Sequence, residues 1–287
     1  MDVDLRKLRY FVAVARELNF GRAAVALHIA QPVLSRQIRA LEAEFGAQLF
    51  RRDRRSTELT AAGRQLLEDA VPLLAAAEAV RRRVARSGEG RGRFVVGFMP
   101  GIVVTPAVRA LRVRHPGLVV EVLRTSWAEQ ARVVLDGRVD VSLVRLPVDP
   151  QGLVVRPLFA EPRVAALPAG HRLAGRGSVL LGDLAGERLL QDPVLVPEWR
   201  GLAGEAGLRA DTVEEKLEYV AAGEGTVVLP LSVAAFYIRA DVVHVPVADL
   251  APNRVGLVWA AGRSAPLLAE FAGLAVEHLA GSVGGGR

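Results

Sequence analysis

Residues 30–42 read AQPVLSRQIRALE, and two helical faces are sorted within them. Leu34, Ile38 and Leu41 recur at the four-then-three spacing of one face. Gln31, Ser35 and Arg39 recur at four-residue steps on another, with Arg36 among them. A solvated helix surface usually mixes Glu with Lys. This one offers an amide, a hydroxyl and guanidinium groups, which bond in the plane of a base edge or to a phosphate. The stretch predicts a helix starting near Gln31, one side in a core and the other turned to nucleic acid.

The residues before it supply the rest of a small helical module. Leu8, Phe11, Val12, Val14, Ala15 and Leu18 fit the apolar face of a helix over 5–18, and Ala23, Ala24 and Leu27 that of a second over 20–27. The residues HIA interrupt the pattern, and Pro32 suits the start of the third helix because its missing N–H is not needed there. Three short helices with a tight second-to-third connection form a helix-turn-helix, whose later helix enters the major groove. After Gly46 come two short strand-like pieces around Arg51, Arg52, Asp53, Arg54 and Arg55. A single arginine there would read as a solvated charge. Four in five positions beside a recognition helix read as a wing that grips phosphate or a narrow minor groove.

Charge is distributed accordingly. Residues 1–93 hold 18 basic and 11 acidic side chains, net +7, whereas 94–287 hold 19 and 20, net −1, so the basic character of the chain belongs to the first third. The 287 residues suffice for two or three domains, and 51% of them are hydrophobic. The chain has no cysteine, which removes disulfides, thiolate nucleophiles, Cys-type zinc sites and thiol redox sensing. The five histidines are scattered, and neither an H-E-x-x-H nor a G-x-S-x-G pattern occurs. Catalysis, a metal and a cofactor are therefore not expected. No stretch approaches a signal peptide or a membrane span, which predicts a soluble cytoplasmic protein and disfavours a secreted solute receptor.

Thr60 suits the cap of a helix reaching about Arg86, along which Leu66, Ala70, Leu73, Ala77, Val80 and Val84 alternate by four and three. That is the seam of a two-stranded coiled coil, with a single packed helix as the alternative; Pro72 should bend it. The glycine-broken segment ARSGEGRGR reads as a hinge. From Phe94 strands and helices alternate: RFVVGFM, TPAVRALRVRH, LVVEVLR, WAEQARVVLDG, VDVSLVR. Residues 163–265 repeat the theme with RVAALP, ERLLQ, VEEKLEYVAAG, TVVLP and VGLVWAA. Alternation predicts parallel sheets with ligands beyond the carboxyl ends of the strands, and two such lobes leave a cleft.

The motifs L-R-x-L-R-Y-F-V-A-V-A (5–15), N-F-x-R-A-A (19–24), Q-P-x-L-S-x-Q-I-R-x-L-E (31–42), G-x-x-L-F-x-R (46–52) and L-T-x-A-G (59–63) resemble the amino-terminal domain of the LysR-type transcriptional regulators. H-P-x-x-x-x-E-V, G-R-V-D-V, L-P-A-G-H-R-L-A and V-A-A-G-E-G-T-V-V-L-P, in that order, resemble the family's effector domain. The resemblance implies an α+β multidomain chain. Its parts would be a winged helix-turn-helix (1–59), a linker dimerisation helix and hinge (60–90), and a two-lobed α/β effector domain like type 2 periplasmic binding proteins (91–287). The first lobe is placed at 91–161 plus 266–287 and the second at 162–265. It further implies base or groove contacts from Gln31, Pro32, Ser35 and Arg36, with backbone or minor-groove contacts from Arg52 and Arg55; the helical face adds Arg39, and the hairpin tip Arg54. Double-stranded DNA, a small-molecule effector, a homodimer or homotetramer, and RNA polymerase in the case of an activator are the implied partners. One departure is Ala30, where many relatives carry a serine cap.

For the effector, strand ends nominate Met99, Pro100 and Gly101, then Thr125 and Ser126, then Val144 and Arg145. The loop 99–105 leads into a helix whose free N–H groups favour an anion. Arg145 matches an arginine of family members that answer small aromatic or dicarboxylic acids. It can pair bidentately with an effector carboxylate or be consumed by an internal acid.

Overall fold

The computed structural model describes residues 3–52, 56–87, 92–199, 210–263 and 265–279. The chain divides into two units, residues 1–89 with 135–138, and residues 90–134 with 139–287.

The first unit contains α1 (Leu5–Glu17), α2 (Phe20–Ala26), α3 (Gln31–Phe45), β1 (Phe50–Arg52), β2 (Thr57–Leu59) and α4 (Ala61–Ser87). Asp4 caps α1 by accepting from the Arg6 N–H at 2.8 Å, and Asn19 caps α2 through the Arg22 N–H at 2.9 Å. Leu18, expected on the buried face, is the left-handed residue that ends α1 and is 47% exposed. Ala23 and Ala24 are buried, as a close helix crossing requires, and Leu34, Ile38 and Leu41 of α3 fill the same core. Phe50 closes it, its ring centroid 5.3 Å from that of Phe11 and 5.7 Å from that of Phe20.

Ala30 makes no side-chain cap bond to α3, so the first N–H groups of that helix lack the oxygen a serine would supply. Ala30→Ser is expected to stabilise the unit by about 1 kcal/mol, read as slower amide exchange across the start of α3.

α4 is 27 residues long, about 40 Å at the usual rise, and continues through Pro72. Leu66 and Ala70, assigned above to an intermolecular seam, pack instead on the core of their own unit. Leu73, Val80 and Val84 stay 44%, 51% and 66% exposed.

The second unit carries two sheets. The first has the order β4 (Val119–Arg124), β3 (Arg93–Phe98), β5 (Val141–Leu146), β10 (Asn253–Ala260), β6 (Leu153–Glu161). β3 runs parallel to β4 and β5, as the alternation predicts, while β10 is antiparallel to both of its neighbours. α5 (Thr105–Arg114) and α9 (Pro266–Leu279) contribute Leu111 and Phe271 to the core over Phe94, Val96 and Leu143. The second sheet, β8 (Val227–Pro230), β7 (Arg163–Pro168), β9 (Val242–Pro246), is wholly antiparallel. α7 (Val213–Ala221) and α8 (Leu231–Phe236) belong to this lobe, and β7 feeds Val164 and Ala166 into one core, Ala165 and Leu167 into another.

Four expectations are corrected. The second lobe does not repeat a parallel arrangement, because both neighbours of β7 run against it. ERLLQ is not a strand; it offers a single bridge from Leu189 to Thr226. The helix expected over WAEQARVVLDG shrinks to one turn, α6 (Arg132–Leu135). The buried Gln130 amide accounts for that: it accepts from the Arg145 N–H at 2.7 Å and donates to the Arg145 carbonyl at 3.2 Å, binding the loop to β5 as a strand would. Finally β10 lies in the first sheet, so 253–260 belongs with the first lobe, and the second lobe ends before it rather than at 265.

Candidate nucleic-acid interface and inter-lobe cleft

On α3 the two faces are separate. Leu34, Ile38 and Leu41 are buried, while Gln31, Pro32, Arg36 and Arg39 are exposed and Ser35 is half-buried. Much of the surrounding positive charge is spent within the chain: Lys7 pairs with Glu44, Arg9 with Glu78 at 2.5 Å, and Arg22 with Glu17 at 3.0 Å. The guanidinium groups of Arg36 and Arg39 have no ion pair or hydrogen bond among the described residues. They hold their charge available to a polyanion.

The wing pairs Phe50 with Leu59, Arg51 with Glu58 and Arg52 with Thr57. Arg51 lies 3.8 Å from Glu58, an exposed pair of little energetic weight. The side chain of Arg52 and the whole of Arg54 and Arg55 lie outside the described residues.

The sequence marked Thr60 as a helix cap but did not show what positions the wing. The Glu42 carboxylate, at the far end of α3, accepts from the N–H groups of Leu49 and Phe50 at 3.0 and 3.2 Å. The Thr60 hydroxyl donates to the Gln48 carbonyl at 2.6 Å and accepts from the Gly63 N–H at 3.0 Å, while the Thr60 N–H donates to the Leu49 carbonyl at 3.0 Å. A Cβ on Gly63 would sit 2.1 Å from the Leu49 carbonyl oxygen. The L-T-x-A-G motif therefore welds the start of α4 to the root of β1.

In the second unit a cleft of about 160 Å³ separates the lobes. Met99, Pro100, Thr125, Ser126 and Arg145 line it, as nominated. Val144 does not, being fully buried within β5, nor does Gly101. Gly101 adopts φ +81°, and a Cβ there would come within 2.7 Å of the Val233 N atom, so the glycine permits close approach to α8. The first residues of α5 line a separate depression beside Phe236 and Tyr237 and take no part in the cleft. From the second lobe Gln191, Thr212, Lys216 and Val228 complete the walls. The sequence marked VEEKLEYV as a helix without assigning it a role in the site.

Of the two alternatives the sequence left open for Arg145, the structure shows the internal pair. Its Nη1 donates to Glu161 and to Asn253, both at 2.6 Å, and its Nη2 to the Pro100 carbonyl and the Ser232 hydroxyl, both at 3.1 Å. The Arg145 and Glu161 side chains are 3% and 0% exposed. Burial pushes the guanidinium below its ordinary value and Glu161 opposes that. Glu161 also accepts from the Ser232 N–H at 2.7 Å, so the pair ties β5 and β6 of the first lobe to α8 of the second. Arg163, the neighbouring buried cation, is spent on the Ala251 carbonyl at 2.8 Å and on Glu198.

A winged helix-turn-helix with an uncommitted arginine face, in one chain with a two-lobed unit that holds a small cleft, defines a DNA-binding protein that answers a ligand. Comparison with known proteins agrees. The family described as "Bacterial regulatory helix-turn-helix protein, lysR family" matches residues 5–64, and "LysR substrate binding domain" matches 87–280. The chain belongs to the LysR family of transcriptional regulators. It is 33% identical to the Hca operon transcriptional activator HcaR of Escherichia coli K12, over 97% of this chain and 99% of that protein. It is 34% identical to the regulator AlsR of Bacillus subtilis 168, over 80% and 81%. Among solved structures it is similar to full-length BenM, with a TM-score of 0.55, 27% identity and 95% of each chain covered. It is also similar to full-length CbnR in complex with its target DNA, with 0.53, 27%, and 96% and 98% covered. These relatives are regulators rather than enzymes.

Proposed function

We propose that α3 reads base edges through Gln31, Pro32, Ser35 and Arg36, with Arg39 beside them, and that Arg52, Arg54 and Arg55 hold the flanking backbone. The observation that carries this reading is the open, unpaired Arg36 and Arg39 on a helix whose other face is fully buried. Arg36→Ala is expected to remove about 1–3 kcal/mol of discrimination between operator and scrambled DNA. Arg52→Ala should weaken both alike and lower the salt dependence by about one counterion. Titration of each variant against both duplexes over a salt series checks this; sequence preference untouched in both variants would overturn the assigned roles.

The second half of the reading is that the cleft takes a small metabolite whose occupancy alters how transcription of target genes is set. A homodimer or homotetramer is the working form, with the exposed Leu73, Val80 and Val84 of α4 as part of the contact. RNA polymerase is the further partner if the protein activates. The site of action is the cytoplasm; among the described residues no helix is long and apolar enough to cross a membrane. No cofactor, metal or catalytic step enters this reading.

Similar proteins include hydrogen peroxide-inducible genes activators, 32% identical. This chain has no cysteine, so a peroxide response through thiol oxidation is chemically closed to it. That favours a bound effector as the signal.

A further inference from the structure

We infer that Lys216, and not Arg145, reads the charge of the effector, and that the effector is a small organic anion of about one ring. The inference rests on the cleft reading above and names the chemistry of that site.

The cations that line the cleft are Arg124, Arg145, Arg163 and Lys216. Four of the N–H groups of Arg145 are bonded within the protein, Arg163 is held by Ala251 and Glu198, and Arg124 lies exposed, 3.8 Å from Glu214. The side-chain ammonium of Lys216, half-buried on α7, has no ion pair or hydrogen bond among the described residues, its backbone N–H alone donating to the Thr212 carbonyl at 3.2 Å. Its neighbour Glu215 is occupied as the capping residue, accepting from the N–H groups of Asp211 and Thr212 at 3.0 and 3.1 Å. Burial pulls the ammonium below its ordinary value, while the charges of Asp211 and Glu215 hold it up, so an arriving anion relieves a cation that is poorly solvated. Gln191 adds a second donor. Its Oε1 accepts from the Val228 N–H at 3.1 Å, and its Nε2 has no partner among the described residues.

Around these groups Met99, Leu195, Val228, Leu229 and Val233 present apolar surface. The volume of about 160 Å³ is that of cavities of about 150 Å³ that admit benzene. An anionic head at Lys216 with an apolar body the size of a single ring matches both features. A dianion would need a second free cation within the cleft, and there Arg145 and Arg163 are already bound while Arg124 faces solvent beside Glu214.

The test is calorimetric titration of the full-length protein with benzoate and with benzamide, its neutral counterpart of the same shape. Wild type should prefer benzoate. Lys216→Met should weaken benzoate by about 10- to 100-fold, the range for a bond to a charged group, and abolish the preference over benzamide. Lys216→Arg should retain the preference. Ser126→Trp, which fills the cleft from an exposed position, should abolish binding of both. Unchanged thermal transitions, followed by the tryptophans at 127, 199 and 259, establish that the variants fold. If Lys216→Met still prefers benzoate, or if wild type shows no preference or binds neither probe, the charge assignment is overturned. If both probes bind Ser126→Trp as they bind wild type, the cleft reading itself fails.

Discussion

Gly63→Ala should displace the wing and abolish operator binding. In an ordinary helix position the exchange of glycine for alanine stabilises by about 1 kcal/mol. Here the new methyl would lie 2.1 Å from the Leu49 carbonyl oxygen and 2.9 Å from a Leu59 methyl carbon, so backbone must move. The Leu49 carbonyl accepts the Thr60 N–H, and the Leu49 N–H is held by Glu42, so a shift there breaks the join between α3, β1 and α4. The expected loss is about 3 kcal/mol, at the upper end for overpacking, and the sign is opposite to that of helix propensity. Gly273 in α9 is the control, since a Cβ there meets nothing within 4 Å; Gly273→Ala should be neutral or stabilising. Amide exchange of α3 and β1, with operator titration, reads the difference. A Gly63→Ala protein that binds operator like wild type would show that the close approach is not sustained in solution.

Arg145→Ala should destabilise the second unit by about 3–5 kcal/mol, because it strands a fully buried carboxylate. The double variant Arg145→Met/Glu161→Leu should recover most of that, since a buried pair replaced by apolar groups of similar size is often neutral. A double-mutant cycle in urea separates the two roles of this arginine. An arginine kept for a ligand would leave stability almost unchanged when truncated, whereas one that binds Glu161, Asn253, Pro100 and Ser232 cannot. All three tryptophans lie in the second unit, so their fluorescence reports its unfolding directly.

Much of the first unit was legible because its signals are local. The burial of Leu34, Ile38 and Leu41 opposite Gln31, Arg36 and Arg39 is written in one run of residues, and so are the uncapped Ala30 and the start of α3. The parallel β3, β4 and β5 were legible for the same reason, each being a short apolar strand followed by a helix or turn. β6 carried no clear alternation, since it is an edge strand with a mixed burial pattern, and it went unread.

Residue types and their periodicity alone determined that an arginine-bearing helix would stand open beside a wing, that no thiol chemistry could occur, and that a two-lobed unit would follow. Folding in three dimensions decided which charges remain free. The partners of Arg145 lie 16, 87 and 108 residues away at Glu161, Ser232 and Asn253. β10 also reaches the first sheet only after the whole second lobe has been built. Helical and strand periods record which side of an element is buried over a few residues. Which acid meets which base is set by chain crossings, and that is why the half-buried cleft cation left without a side-chain partner among the described residues is Lys216.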